Sequence, residues 1–125
     1  MLKKTIKYKD FNEKERTEDF YFNLTKAEAM ELQLSESGGL TEVINQISNT
    51  QDAPTIIKIF KDIILKAYGE KSPDGKRFVK IAPDGHRLAD DFAQTNAYSE
   101  LFMELAQDSQ KAAEFFKKII PSADN

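Results

Sequence analysis

The stretch "KKTIKYKDFNEKERTEDFYFNL", residues 3–24, decides the fold class, because two short runs within it alternate apolar and polar residues. Ile6 and Tyr8 are separated by polar residues in the first run, and Phe20 and Phe22 are separated in the same way in the second. Period-two alternation is typical of strands that bury one face. The polar residues between the runs would form the connection. The sequence therefore opens with a predicted β-hairpin.

The first predicted strand is rich in lysine, with Lys3, Lys4, Lys7 and Lys9 close together. The lysines either protect an exposed edge strand or form a phosphate-binding patch. The whole chain has a formal net charge of −3, with acids and bases mixed along it, so it lacks the overall basic footprint of a nucleic-acid-binding protein. Edge protection is the favoured interpretation. A nucleic-acid-binding regulator is a weaker hypothesis that predicts salt-sensitive binding.

Helical spacing replaces the alternation after residue 24. Thr25 and Glu28 have capping-box spacing, which predicts a first helix that stops before Gly38-Gly39. The stretch "TIIKIFKDIILKAY", residues 55–68, is the most apolar segment and predicts a central helix, with Gly69 ending it in a left-handed cap. A helix between these two carries Leu40, Val43, Ile44 and Ile47.

The last third of the chain predicts further helices, with Thr95 and Asp108 as the residues that cap two of them. The predicted fold class is therefore α+β and mostly α-helical, with an N-terminal β-hairpin followed by five or six helices. We expect one domain over residues 1–125, divided into a hairpin (1–24), a helical part (25–121) and a short tail (122–125).

Pro-Asp-Gly occurs twice in "SPDGKRFVKIAPDGHRL", residues 72–88. Proline presets the first turn angle and glycine accepts a positive one, so the pattern predicts two turns around a short extended segment, residues 77–81. The only histidine, His86, follows the second copy. It is either a catalytic base or, as we favour, a solvated turn residue.

Motifs of chemical function are missing from the sequence. The chain has no cysteine and one histidine, which excludes disulfides and thiolate chemistry and makes the common zinc sites improbable. Phosphate-loop, dinucleotide and H-E-x-x-H patterns are absent, and "DFNEKERTED" lacks the central glycine of a calcium loop. We therefore predict no enzyme activity, cofactor or metal.

No apolar run is long enough to span a bilayer and no signal peptide is evident, so we expect a cytoplasmic protein.

The helices carry more apolar residues than one narrow face needs. Phe115-Phe116 and Ile119-Ile120 are adjacent pairs, and Met103 lies off the apolar face of its own helix. Either the last helix packs between two neighbours, or part of this surface meets another protein. The candidate interaction residues are Met103, Phe115, Phe116, Ile119 and Ile120.

Three segments together resemble one known family: "EDFYFNLTKAEAMEL", "IIKIFKDIILKAYGEKSPDGKRFVK" and "FAQTNAYSELFMELAQDSQKAAEFFKKIIP". In this order they resemble the tail assembly chaperones of long-tailed phages and prophages of Gram-positive bacteria. The phrases "YGEKSPDGKRFVK" and "FAQTNAYSELFMEL" carry most of the resemblance.

The resemblance implies a non-enzymatic role in virion assembly. Such a chaperone binds the long, helical, aggregation-prone tape-measure protein and keeps it soluble while the tail tube assembles. A longer frameshift product would recruit the tail-tube protein. Apart from the resemblance, many weakly binding copies on one client would gain avidity if they also contacted each other, so self-association is a further expectation. The expected location is the host bacterial cytoplasm, and the mature virion would lack the protein. The alternative is a structural head–tail connector or tail completion protein, which would remain in the virion.

Overall fold

The computed structural model describes residues 1–35 and 53–119. These residues form an antiparallel sheet of four strands in the order β1-β2-β3-β4, together with five helices. The strands are β1 (Leu2–Lys9), β2 (Glu15–Phe22), β3 (Tyr68–Lys71) and β4 (Phe78–Val79), and the helices are α1 (Lys26–Ser35), α2 (Ala53–Ala67), α3 (Leu88–Ala93), α4 (Asn96–Gln107) and α5 (Ser109–Ile119). The predicted helix with Leu40, Val43, Ile44 and Ile47 lies outside the described residues.

The predicted N-terminal hairpin is confirmed. β1 and β2 pair from Leu2 opposite Phe22 at one end to Lys9 opposite Glu15 at the other. The tight turn is built on Asp10, whose carboxylate accepts hydrogen bonds from the backbone N–H groups of the residues two and four positions later, at 2.8 and 3.0 Å. The apolar members of the alternation face the helices, so this face of the hairpin contributes to the core.

The prediction of a mostly helical chain in which the hairpin is the only β-structure is wrong. The chain leaves α2 at Tyr68 directly into β3, which pairs with β2, and β4 then pairs with β3. The two added strands have only four and two residues, too short for an alternating pattern to be recognised. Tyr68 also continues the apolar stripe of the preceding helix, which hides the change from helix to strand.

The prediction that Gly69 ends α2 in a left-handed cap is also wrong. It is a buried residue of β3, and the ring of Phe78 lies across it from β4. A Cβ atom at this position would lie 2.6 Å from a ring carbon of Phe78 and 2.8 Å from the backbone oxygen of Val79. Glycine is therefore required here by the close approach of two strands.

Aromatic side chains join the sheet to the helices in the core. Phe22 of β2 meets Phe115 of α5 with ring centroids 5.2 Å apart. Tyr68 and Phe92 stack almost in parallel, with centroids 4.3 Å apart and an interplanar angle of 4°. Such pairs add stabilisation of about 1 kcal/mol beyond the burial of apolar area. Contacts between distant parts of the chain thus hold the sheet and the helices together.

The predicted helix starts are confirmed where the structure describes them. At α1, the Thr25 N–H donates to the Glu28 carboxylate (2.9 Å) and the Glu28 N–H donates to the Thr25 hydroxyl (3.1 Å), forming a complete capping box. The hydroxyl of Thr95 accepts from the Tyr98 N–H at 3.2 Å, which caps α4. The Asp108 carboxylate likewise accepts two N–H groups at the start of α5.

The carboxyl ends of α2 and α5 meet at the two residues that follow β2. The Asn23 N–H donates to the carbonyl of Ala67 at 2.8 Å, and the Leu24 N–H donates to the carbonyl of Ile119 at 3.0 Å. Helix ends leave carbonyl groups without partners inside the helix, and these two backbone donors satisfy one such group at each end. The segment after the hairpin therefore ties the N-terminal sheet to the last described helix.

Lys80 also contacts the residues that follow β2 and the carboxyl end of α2. Its ammonium group donates to the carbonyls of Asn23 (2.9 Å) and Lys66 (2.8 Å) and to the carboxylate of Glu28 (2.6 Å). Burial raises the pKa of Glu28, but the hydrogen bonds from Lys80 and Thr25 outweigh it and hold that pKa below its ordinary value. Burial lowers the pKa of Lys80, and the pairing with Glu28 offsets part of that effect. A cation at the carboxyl end of α2 also suits the helix dipole.

Candidate interaction surfaces

The structure separates the five predicted interaction residues into three groups. Phe115, Phe116 and Ile119 are buried, with exposed fractions of 4%, 0% and 1%. Met103, on α4, is 48% exposed, and Ile120 lies outside the described residues. The interaction role of this set stays a prediction, and Met103 is the described member that a partner can reach without a change in the fold.

Adjacent aromatic residues on α5 are explained by two packing neighbours on different sides of the helix. Phe115 packs against Phe22 of the sheet, and Phe116 packs against Phe60 of α2 with ring centroids 5.6 Å apart. The helix therefore lies between two neighbours, which is one of the two interpretations that its apolar pairs allowed.

Several other large apolar side chains are exposed, although the sequence did not indicate them as interaction residues. The most exposed is Phe11, at 76%, in the turn of the hairpin. The sequence could have indicated this exposure, because Phe11 is an aromatic residue within the polar stretch that connects the two strands. The other exposed apolar side chains besides Met103 are those of Met1, Met30, Ile57 and Ile81. These residues lie on different elements, so they do not form one continuous patch along a single helix or strand.

A cleft of about 300 Å³ opens between the start of β1 and the helices α4 and α5. Leu2, Leu105 and Phe115 provide its apolar lining, and charged side chains surround them. Glu104 lies among these charges, 3.1 Å from the ammonium of Lys4 and 3.9 Å from that of Lys111. The remaining charged residues of the lining are Lys3, Glu114 and Lys118, so lysines outnumber glutamates. Sequence reasoning missed this cleft because its residues come from three separate elements.

The two Pro-Asp-Gly copies form two similar turns, as predicted. Gly75 and Gly85 have positive φ angles of 74° and 93°, and the Asp of each copy accepts the N–H of the residue after its glycine. Each glycine N–H donates to the carbonyl three residues earlier, at 2.9 and 2.8 Å. β4 lies between the turns, within the predicted extended segment. The repeat is thus a repeated local conformation.

His86 is exposed, as expected for a turn residue, but two carboxylates hold its ring. Its Nε2 atom lies 2.7 Å from a carboxylate oxygen of Asp91, and its Nδ1 atom contacts Asp84. The hydrogen bonds to Asp91 and then to Asp84 raise the pKa of His86 above its ordinary value. Protonated His86 therefore links the second turn to α3.

Neither a metal-binding cluster nor a membrane-spanning helix is found in the part of the chain that the structure describes. Residues 1–35 and 53–119 contain no group of three or more His, Asp or Glu side chains placed to hold a metal ion. Within the same ranges, every helix is too short or too polar to cross a membrane.

The exposed apolar side chains of the described residues lie singly on separate elements, and such residues do not by themselves identify a function. Comparison with known families defines the class further: the family model for phage tail assembly chaperones matches residues 1–123. The chain therefore belongs to the phage tail assembly chaperone family, and the resemblance described above is confirmed. Comparisons with curated proteins and with solved structures each found no match.

Proposed function

We propose that this protein binds the tape-measure protein and keeps it soluble in the host cytoplasm while the tail tube assembles. The observation that carries the proposal is the family match, which covers residues 1–123 of 125. A tail assembly chaperone needs a client among the tail proteins, and a long helical client with exposed apolar stripes is the one most in need of protection from aggregation.

The exposed apolar side chains of α2 and α4 are the surface that we assign to this client. The two helices contact each other through Phe60 and Phe102, whose ring centroids are 6.2 Å apart. Ile57 lies one turn before Phe60 and Met103 follows Phe102, and each is 48% exposed. A helical client can bury an apolar stripe against such residues. Methionine suits this task because its flexible side chain adapts to irregular partners.

A contact made by a few exposed apolar side chains is weak, so we propose that many copies bind along one client. Copies that bind neighbouring segments and also contact each other gain avidity through their high effective concentration. In the same scheme, a longer frameshift product recruits the tail-tube protein. Release then follows from tube polymerisation, and the chaperone is absent from the mature virion.

The test is co-expression of this chain with fragments of the tape-measure protein, with the soluble fraction of each fragment as the readout. We expect the wild-type chain to raise that fraction and the double variant Ile57→Ser/Met103→Ser to raise it less. Met30→Ser is the matched control, because Met30 is equally apolar and 63% exposed but lies on α1.

Thermal unfolding of each variant checks that the fold is retained. Fragments that stay insoluble with the wild-type chain would contradict the proposal. Mass spectrometry of purified virions addresses the alternative, since a stoichiometric amount of this chain in mature particles would instead indicate a head–tail connector or tail completion protein.

A further inference from the structure

The edge of β1 that no described strand covers, called the free edge below, has backbone groups directed away from the sheet. Antiparallel pairing alternates between residues that exchange backbone hydrogen bonds with the partner strand and residues that do not. The hydrogen bond from the Asp10 N–H to the Lys14 carbonyl (2.9 Å) fixes the phase of this alternation in the hairpin. It follows that Lys3, Thr5, Lys7 and Lys9 direct their N–H and C=O groups away from β2.

An independent contact supports this phase. The side-chain amide of Asn96 donates to the carbonyl of Lys9 at 2.8 Å, so that carbonyl does point away from β2. At the other three positions, no hydrogen bond within the described part of the chain uses the outward backbone groups. An edge strand with free groups of this kind can pair with another strand.

The side chains along this edge carry positive charge. Lys3, Lys7 and Lys9 are exposed, and no ion pair to any of them is found within the described residues. Lys9 lies opposite Glu15 across the ladder. Lys3 and Lys7 lie opposite Tyr21 and Thr17, so no acidic residue directly faces these two lysines. The edge therefore presents a positive row that is only partly balanced by the neighbouring strand.

A second copy of this chain is a poor partner for the edge. If two β1 strands met antiparallel around Thr5, Lys3 of each copy would lie opposite Lys7 of the other. Shifting the pairing by one repeat places Lys3 opposite Lys9 instead. Directly opposed like charges destabilise a strand pair. The row of lysines therefore disfavours pairing between the β1 strands of two copies and favours a partner strand that carries negative charge.

We propose that the free edge of β1 accepts an extended, acidic segment of a partner protein as an additional strand of the sheet. The backbone of the segment pairs with the free groups of Lys3, Thr5 and Lys7, and its carboxylates lie beside the lysine side chains. One end of the segment reaches the lysine-rich cleft beside Leu2, where Lys3 and Lys118 extend the positive surface. Main-chain bonds supply affinity in this mode and the side chains supply selectivity.

The probe is a capped synthetic peptide that alternates glutamate and valine over the length of β1, with a lysine-for-glutamate peptide as its counterpart. We expect the acidic peptide to bind and the basic one not to bind. Amide hydrogen exchange in the complex should slow at Thr5 and Lys7. It should be unchanged at Thr17, whose N–H also points away from the β1–β2 ladder but at the opposite side of the hairpin.

A proline at position 5 removes one outward N–H and leaves the β1–β2 ladder intact, so Thr5→Pro should weaken binding about tenfold or more. Thr17→Pro is the matched control for the effect of proline on the hairpin. Thr5→Val controls for the side-chain hydrogen bond to Asp19 (2.6 Å). Both controls should bind like the wild-type chain.

Three results would overturn the inference: absence of binding by the acidic peptide, equal binding of the basic peptide, or unchanged exchange at Thr5 and Lys7 in the complex. The exchange measurement uses the wild-type chain, so it decides the matter even if Thr5→Pro does not fold. The inference concerns a different surface from the α2–α4 surface assigned to the tape-measure protein, and either proposal can fail without the other.

Discussion

At the residue scale, Gly69 shows how one position can decide the geometry of a sheet. Its missing side chain lets Phe78 and the backbone of Val79 come within distances that no Cβ atom tolerates. The sequence shows only a glycine after an apolar helix, which is also the pattern of a helix cap. The difference between the two roles lies in a contact with a residue nine positions later, and a local pattern contains no information about it.

We expect Gly69→Ala to destabilise the protein by about 2 kcal/mol, because the new methyl group would meet a backbone oxygen that cannot rotate away. Chemical denaturation measures the change. Gly75→Asn is a suitable control, since Gly75 has open space around it and a positive φ that asparagine accepts. If Gly69→Ala proved as stable as the control, that result would contradict the close approach of β3 and β4 at this position.

His86 gives a prediction that depends on pH. Because its pKa is raised in the folded state, its pairing contributes stability that is fully present below the unfolded value of 6.5 and is lost as pH rises through the folded pKa. NMR titration of the imidazole should give a midpoint above 6.5. Asp91→Asn should lower that midpoint. Asp90→Asn should change it far less, since Asp90 pairs with Arg87 at 2.9 Å; equal effects would contradict the assignment.

At the element scale, the two threonine caps belong to helices with different amounts of tertiary support. No buried side chain of α1 is found among those the structure describes, and Ala27 and Met30 are exposed. α4 instead buries Ala97, Leu101 and Leu105. The same local motif therefore starts one peripheral helix and one helix of the core.

We expect this difference to separate two cap variants. Thr25→Ala should remove about 1 kcal/mol from α1 alone, seen as faster amide exchange in α1 with nearly unchanged global unfolding. Thr95→Ala should reduce the global free energy of unfolding by a similar amount, because α4 cannot fray without opening the core. Identical global effects of the two variants would contradict this division.

The elements also show how far a sequence predicts this fold. The hairpin, the capping box of α1 and the caps of α4 and α5 follow from local patterns, and all of them are found. β3 is not predictable in this way, since four residues cannot establish a period. For β4, the two turns predict an extended segment at residues 77–81 but not its pairing with β3. The cleft beside Leu2 is equally hidden, because the sequence gives the residue types but not the packing of α4 and α5 on β1.

At the scale of the whole molecule, the burial of each predicted interaction residue determines how much its replacement should lower the free energy of unfolding. Phe116→Ala should cost about 3–5 kcal/mol, since the side chain is fully buried and its removal leaves a cavity. Met103→Ser should change the free energy of unfolding by less than about 0.5 kcal/mol, since Met103 is half exposed. Calorimetry of the two variants measures both. A large loss of stability in Met103→Ser would show that Met103 belongs to the core.

The hydrogen bond between Leu24 and the last residue of α5 has a consequence for synthesis on the ribosome. The hairpin is translated before α4 and α5, the two helices that cover its apolar face. An isolated hairpin is marginally stable in water. The nascent chain therefore carries an uncovered β-surface until α4 and α5 have left the ribosome, and we expect the stable native state to form only after that point.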